Sequence, residues 1–120
     1  MEAEIQKWLF DAHQASLFIQ EFLKEKEFED YHNNLMLSSA VERQFEILGE
    51  ALKRIRDKNE AFLEESIVGW RGAISFRNIL AHGYDYIDSE VVWGIIEDDL
   101  PDLIRSLERQ LDLKNRSSSD

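Results

Sequence analysis

No cysteine occurs among the 120 residues, so disulfide frameworks, thiolate metal sites and cysteine nucleophiles are excluded. Proline occurs once and glycine five times, too few turn-formers for an all-β sandwich, and helices become the default class. No apolar run approaches the length of a membrane-spanning helix. The first residues, MEAEIQKW, lack a basic segment followed by an apolar stretch, so no secretory signal is expected and the chain reads as cytoplasmic. Positive charge is scarce too: 14 Lys and Arg stand against 25 Asp and Glu, a formal net charge of −11. Such a surface repels polyanions at long range, which argues against general nucleic-acid binding through a basic face. It suits a solubilising coat or a docking face for a basic partner.

What the chain does contain is a modest core. Hydrophobic residues make up 43%, with three Trp, seven Phe and three Tyr, enough for one folded domain. Four apolar patterns recur with helical period. The first runs through Ile5, Trp8, Leu9, Ala12, Ser16, Ile19, Phe22 and Leu23 and ends near the charged run EKEFED. The second is Leu37, Val41, Phe45, Leu48, Leu52 and Ile55, with Arg43, Glu46, Glu50 and Lys53 opposite at spacings that allow ion pairs. Gly49 interrupts this strong helix at a cost of about 1 kcal/mol relative to Ala, which implies another backbone passing close there. A turn and a short helix are expected between Asp57 and Ser66. A third helix spans Gly69 to His82, with Gly83 as a left-handed cap. The last carries Val92, Ile95, Ile96, Leu100, Leu103, Ile104, Leu107 and Leu111, with Asp88 or Ser89 as N-cap and Pro101 set to kink or split it. The fold expected is all-α, a four- to five-helix up-and-down bundle over residues 1–113, with a flexible tail at 114–120.

The third helix carries the chemistry. Its expected core side is Ala73, Phe76, Ile79, Leu80 and Gly83; Trp70, Ile74, Arg77, Asn78, Ala81 and His82 fall on the other. Apolar residues beside that polar cluster imply a second buried surface, shared with another chain. Within the cluster, His82 can move a proton near neutral pH. Arg77 can hold a phosphate by a two-pronged contact as charge builds on it. Asn78 can orient the imidazole or the phosphate, and Tyr84 can donate a hydrogen bond or stack on a base. Taken one at a time these residues are ordinary: a lone helix-end His is more often a packing or capping residue.

Together, Arg77, His82 and Tyr84 form an Arg-x4-His-x-Tyr pattern that resembles the HEPN-domain ribonucleases of the HepT-like kind. The stretch FEILGEALKRI, Phe45 to Ile55, is similar to that family's helix with an Ile/Leu-Gly-Glu-Ala segment. Trp70 stands at the family's customary spacing, and VVWGIIEDDLPDL, Val91 to Leu103, resembles its last helix. One departure is the run ESIVGW, where such proteins often have a proline-containing turn. The resemblance implies the toxin of a toxin–antitoxin pair, acting as a metal-independent ribonuclease on RNA; the weak long-range attraction of so acidic a protein favours a short or structured substrate such as a tRNA end. Arg77 and His82 would then be catalytic with Asn78 supporting them, in a cleft shared by a homodimer. It further implies that a cognate minimal nucleotidyltransferase antitoxin binds the chain and adds AMP to Tyr84. A bulky anion there would repel RNA phosphates. No cofactor and no metal are implied, and Arg71 is a candidate substrate contact.

Other readings fit less well. A non-catalytic HEPN partner of a nucleotidyltransferase keeps the fold but leaves Arg77, His82 and Tyr84 without a role. A histidine phosphotransfer domain usually has Lys-Gly shortly after its histidine, whereas Gly83 follows His82 directly. A di-iron bundle needs paired Glu-x-x-His motifs, and Glu29 with His32 is the one such spacing, in an expected loop. Lys53, Arg54, Arg56 and Lys58 form the sole basic cluster and read as a solvated helix end; His13 reads as a polar position on the first helix.

Overall fold

The computed structural model describes residues 2–83 and 86–118, and of 113–118 the backbone alone. Among them lie six α-helices: α1 (Ala3–Phe22), α2 (Phe28–His32), α3 (Leu35–Ser66), α4 (Trp70–Ala81), α5 (Ser89–Gly94) and α6 (Leu100–Ser118). A π-helical turn, Ile95–Asp99, joins α5 to α6. α1 packs on α3 and α6, α4 packs on α3, and α2 bridges α3 and α5. The result is the expected all-α bundle.

The apolar stripes become the core. Ile5, Leu9, Ala12, Ala15 and Ile19 of α1 meet Val41, Phe45, Leu48, Leu52 and Ile55 of α3, and Leu100, Leu103, Ile104 and Leu107 of α6 close the third side. α1 stops where Glu25 adopts φ +61°, a left-handed turn made here by a residue with a Cβ. The run after it, expected as loop, contains the short helix α2. Its start is fixed by Glu27 N donating to Asp30 Oδ2 at 2.8 Å, and Phe28 and buried Tyr31 place their rings 6.1 and 5.9 Å from that of Trp93. Glu29 and His32 therefore sit on a helix, not in a loop.

α3 begins on Asn34, whose side chain accepts from Leu37 N at 3.0 Å. It breaks at Asn59 (φ −160°, ψ 82°), whose side chain caps the next turn through Phe62 N; this is the expected turn and short helix. In the ESIVGW run, Gly69 takes φ +79° and turns the chain into α4. Ser106, wholly buried on α6, accepts from Val68 N at 3.1 Å and donates to Leu103 O, tying that turn to the core. Gly83, φ +68°, ends α4 as expected.

The last helix, where Pro101 was expected to introduce a kink or a split, is divided into α5 and α6 by the π-helical turn just before the proline. Gly94, Ile95 and Leu100 all keep helical dihedrals, so residues 89–118 stay helical through that turn. The π turn just before the proline widens the coil where its ring would meet the carbonyl four residues back. The tail expected from 114 is helical through Ser118, since no Pro or Gly interrupts hydrogen bonding there. His13 is more than a polar surface position: its Nε2 lies 3.1 Å from Glu108 Oε2 and links α1 to α6. No helix among the described residues is long and apolar enough to cross a membrane.

Candidate active site

α4 is rotated about its axis from the expected orientation. Trp70, Ile74 and Phe76 are buried, Ala73, Arg77 and Leu80 are half-buried, and Ile79 is 44% exposed. Trp70 and Ile74, expected to face a second chain, thus belong to this chain's own core. The second apolar face inferred from them does not exist in that form. The cause is visible at the contact with α3. A Cβ on Gly49 would lie 2.2 Å from Arg77 Cβ and 2.9 Å from Ala73 O, so the bare Gly49 backbone lets the Ala73–Arg77 side of α4 seat directly on α3. The close approach inferred at Gly49 is made by the helix that carries the motif.

That seating puts a cation on the inner face of α4, and α3 answers it. Arg77 Nη2 lies 2.7 Å from Glu50 Oε2, an oxygen fully shielded from solvent. The pairing is a charge contact without the directed geometry of a hydrogen bond. Glu50 Oε1 accepts from Arg54 Nε at 3.4 Å, and Arg77 Nη1 donates to Asn78 Oδ1 at 3.1 Å. Arg54, Glu50, Arg77 and Asn78 form one connected chain of contacts. Asn78, expected to orient the imidazole or the phosphate, meets the guanidinium through its Oδ1. His82 caps α4 with its N–H on Asn78 O at 3.1 Å and is exposed.

Arg77 and Glu50 open onto a groove of about 660 Å³ between α1 and α3. Trp8 and Ile47 line it with Phe10 and Phe18, which are 53% and 48% exposed, and its charged lining is balanced, Arg43, Arg54 and Arg77 against Asp11, Glu46 and Glu50. A guanidinium has five N–H donors, and the two contacts above leave others for an anion. The arrangement can thus present a guanidinium to an anion at the edge of a groove, with an imidazole at the end of the same helix.

Arg71 is engaged elsewhere. Its guanidinium pairs with Glu64 at 3.1 Å and stacks 4.4 Å from the centre of the Trp70 ring, about 9 Å back along the helix from Arg77. Trp70 Nε1 donates to the same Glu64 oxygen. Three residues of the basic cluster are likewise paired: Arg54 with Glu50, Arg56 with Asp57 and Lys58 with Glu4. Tyr84 lies outside the described residues. Glu50 is the site residue that sequence reading missed. Its signal was its place beside Gly49: a carboxylate next to a close-approach glycine borders whatever helix passes there.

Comparison with known proteins identifies the family. The sequence matches the family described as "Ribonuclease HepT-like" over residues 12–110. A protein of Methanocaldococcus jannaschii named "Putative RNase MJ1380" is 33% identical over 106 residues, covering 88% of this chain and 94% of that one. One of Thermococcus cleftensis named "Probable ribonuclease HepT" is 32% identical over 109 residues, covering 91% and 97%. No solved structure matches. With the match running from α1 nearly to the end of α6 and taking in both Glu50 and Arg77, this chain belongs to the HepT-like ribonuclease family.

Proposed function

We propose that the chain is a metal-independent endoribonuclease, the toxin of a toxin–antitoxin pair, cleaving RNA through Arg77 and His82. The observation that carries this reading is the Arg77 guanidinium, held from two sides at the groove edge in a chain of the HepT-like family. In the reaction the 2′-hydroxyl loses its proton and its oxygen attacks phosphorus. The bond to the 5′-oxygen breaks, and that oxygen takes up a proton. The products carry a 2′,3′-cyclic phosphate and a 5′-hydroxyl. Arg77 neutralises charge building on the phosphoryl oxygens, while His82 moves a proton.

One proton leaves and one arrives, and each chain brings a single imidazole at this motif. A homodimer would supply the second. Exposed Phe10 and Phe18 beside the groove, and Ile79 on α4, favour such self-association, in place of the buried Trp70 and Ile74. The antitoxin in this reading is a nucleotidyltransferase that binds the chain and transfers AMP to Tyr84, blocking the cleft with an anion. Purified protein should cleave single-stranded RNA in the presence of a chelator, and Arg77→Ala or His82→Ala should lower the rate by about 100-fold or more. Equal cleavage by wild type and both variants would overturn the reading.

A further inference from the structure

We propose that Glu50 is a positioning residue for phosphodiester cleavage: from α3 it fixes the Arg77 guanidinium in the orientation that meets the phosphate. This rests on the ribonuclease reading of Arg77. Three observations converge on it. Arg77 springs from the inner face of α4, where a long cationic side chain needs a reason to be, and its Cβ and Cγ lie against the Gly49 backbone. The Cβ end is thus fixed by packing. The far end is gripped by Glu50 on Nη2 and Asn78 on Nη1, so both ends of a flexible four-torsion side chain are constrained before any substrate arrives. Glu50 is in turn held by Arg54, so the carboxylate that aims Arg77 is itself aimed.

The ion pair is not needed to join α3 to α4. Phe45 and Phe76 already meet edge to face with centroids 5.1 Å apart, and Gly49 brings the backbones together. Partly buried ion pairs add little net stability over a well-packed apolar pair, which leaves orientation as the service Glu50 performs. Nor does the pair make the groove as acidic as the rest of the surface. Arg43, Arg54 and Arg77 balance Asp11, Glu46 and Glu50 around it, a formally neutral lining in a chain of net charge −11.

The test compares wild type with Glu50→Gln, which keeps the shape and removes the charge, and with Glu50→Asp, which keeps the charge on a shorter arm. Side-chain 15N spectra should show slow rotation of the Arg77 Nη groups in wild type and free rotation in Glu50→Gln. Cleavage of a single-stranded oligoribonucleotide in chelator, at a temperature where both proteins stay folded, should lose roughly 10- to 100-fold in kcat, with KM changed less than about threefold. Glu50→Asp should recover part of kcat. Wild-type kcat and unchanged Arg77 signals in Glu50→Gln would overturn the proposal. So would an activity loss that merely tracks a fall in melting temperature. A wild-type protein with slow Nη rotation that cleaves no RNA brings down the ribonuclease reading itself, a distinguishable failure.

Discussion

Glu50 on α3 and Arg77 on α4 stand 2.7 Å apart across a helix contact that exists because residue 49 has no side chain. Gly49 sets the distance between the helices, and Glu50, the next residue, uses that distance to hold the guanidinium. A packing feature and a chemical one are thereby written into adjacent positions.

Gly49→Ala should be costly and its counterpart Gly94→Ala should not. The new Cβ at 49 meets backbone and a branch-point carbon that cannot rotate away, so α4 must shift, at about 2–3 kcal/mol. At Gly94 a Cβ meets nothing within 4 Å in a helical backbone, and alanine should stabilise by about 1 kcal/mol. Urea unfolding of both variants checks the pair of opposite signs.

Ser106→Ala removes the acceptor for Val68 N and frees the turn that launches α4. A loss of about 1 kcal/mol is expected on denaturant unfolding, with faster amide exchange at Val68 as the local signature.

Glu25→Gly should stabilise by about 1 kcal/mol, because φ +61° strains any residue with a Cβ and glycine adopts it freely. The gain is smaller than the strain relieved, since glycine also has more freedom to lose on folding. Thermal melting reads it directly.

Glu42 supplies a pH dependence with a definite sign. Burial, and then Glu46, push its carboxyl above the ordinary range in the folded state. The ionised form is therefore disfavoured by folding. Its contribution is best below the ordinary carboxylate value and is lost as pH rises through the raised folded value. Glu42→Gln should accordingly be more stable than wild type near neutral pH, and that advantage should vanish below about pH 4. Unfolding curves across this range test it. Buried Tyr31 responds to the same neighbourhood, its phenol pushed up by burial and then by Glu42.

Much of this was legible in the sequence because helical period and burial obey the same geometry. The α3 stripe, the break before Ser66, the Gly83 cap and the close pass at Gly49 all followed from residue type and spacing. The rotation of α4 did not. Its apolar residues surround most of the helix, so period alone could not choose between the Phe76–Ile79 side and the Trp70–Ile74 side. The Gly49 contact chose. Glu50 was invisible as a site residue for a related reason: on its own helix it is one of several charges opposite the core, and only the packing of α4 gives it a cation to hold. The π turn before Pro101 also escaped, because the proline announced a disturbance without saying which form of relief the helix would take.

The most direct test of a metal-independent cleavage centred on Arg77 and His82 is the chemical nature of the RNA ends formed in the presence of a chelator. Fragments ending in 2′,3′-cyclic phosphate and 5′-hydroxyl, absent with Arg77→Ala and with His82→Ala, are the expected result. The same fragments from both variants, or cleavage that requires added divalent metal, would contradict it.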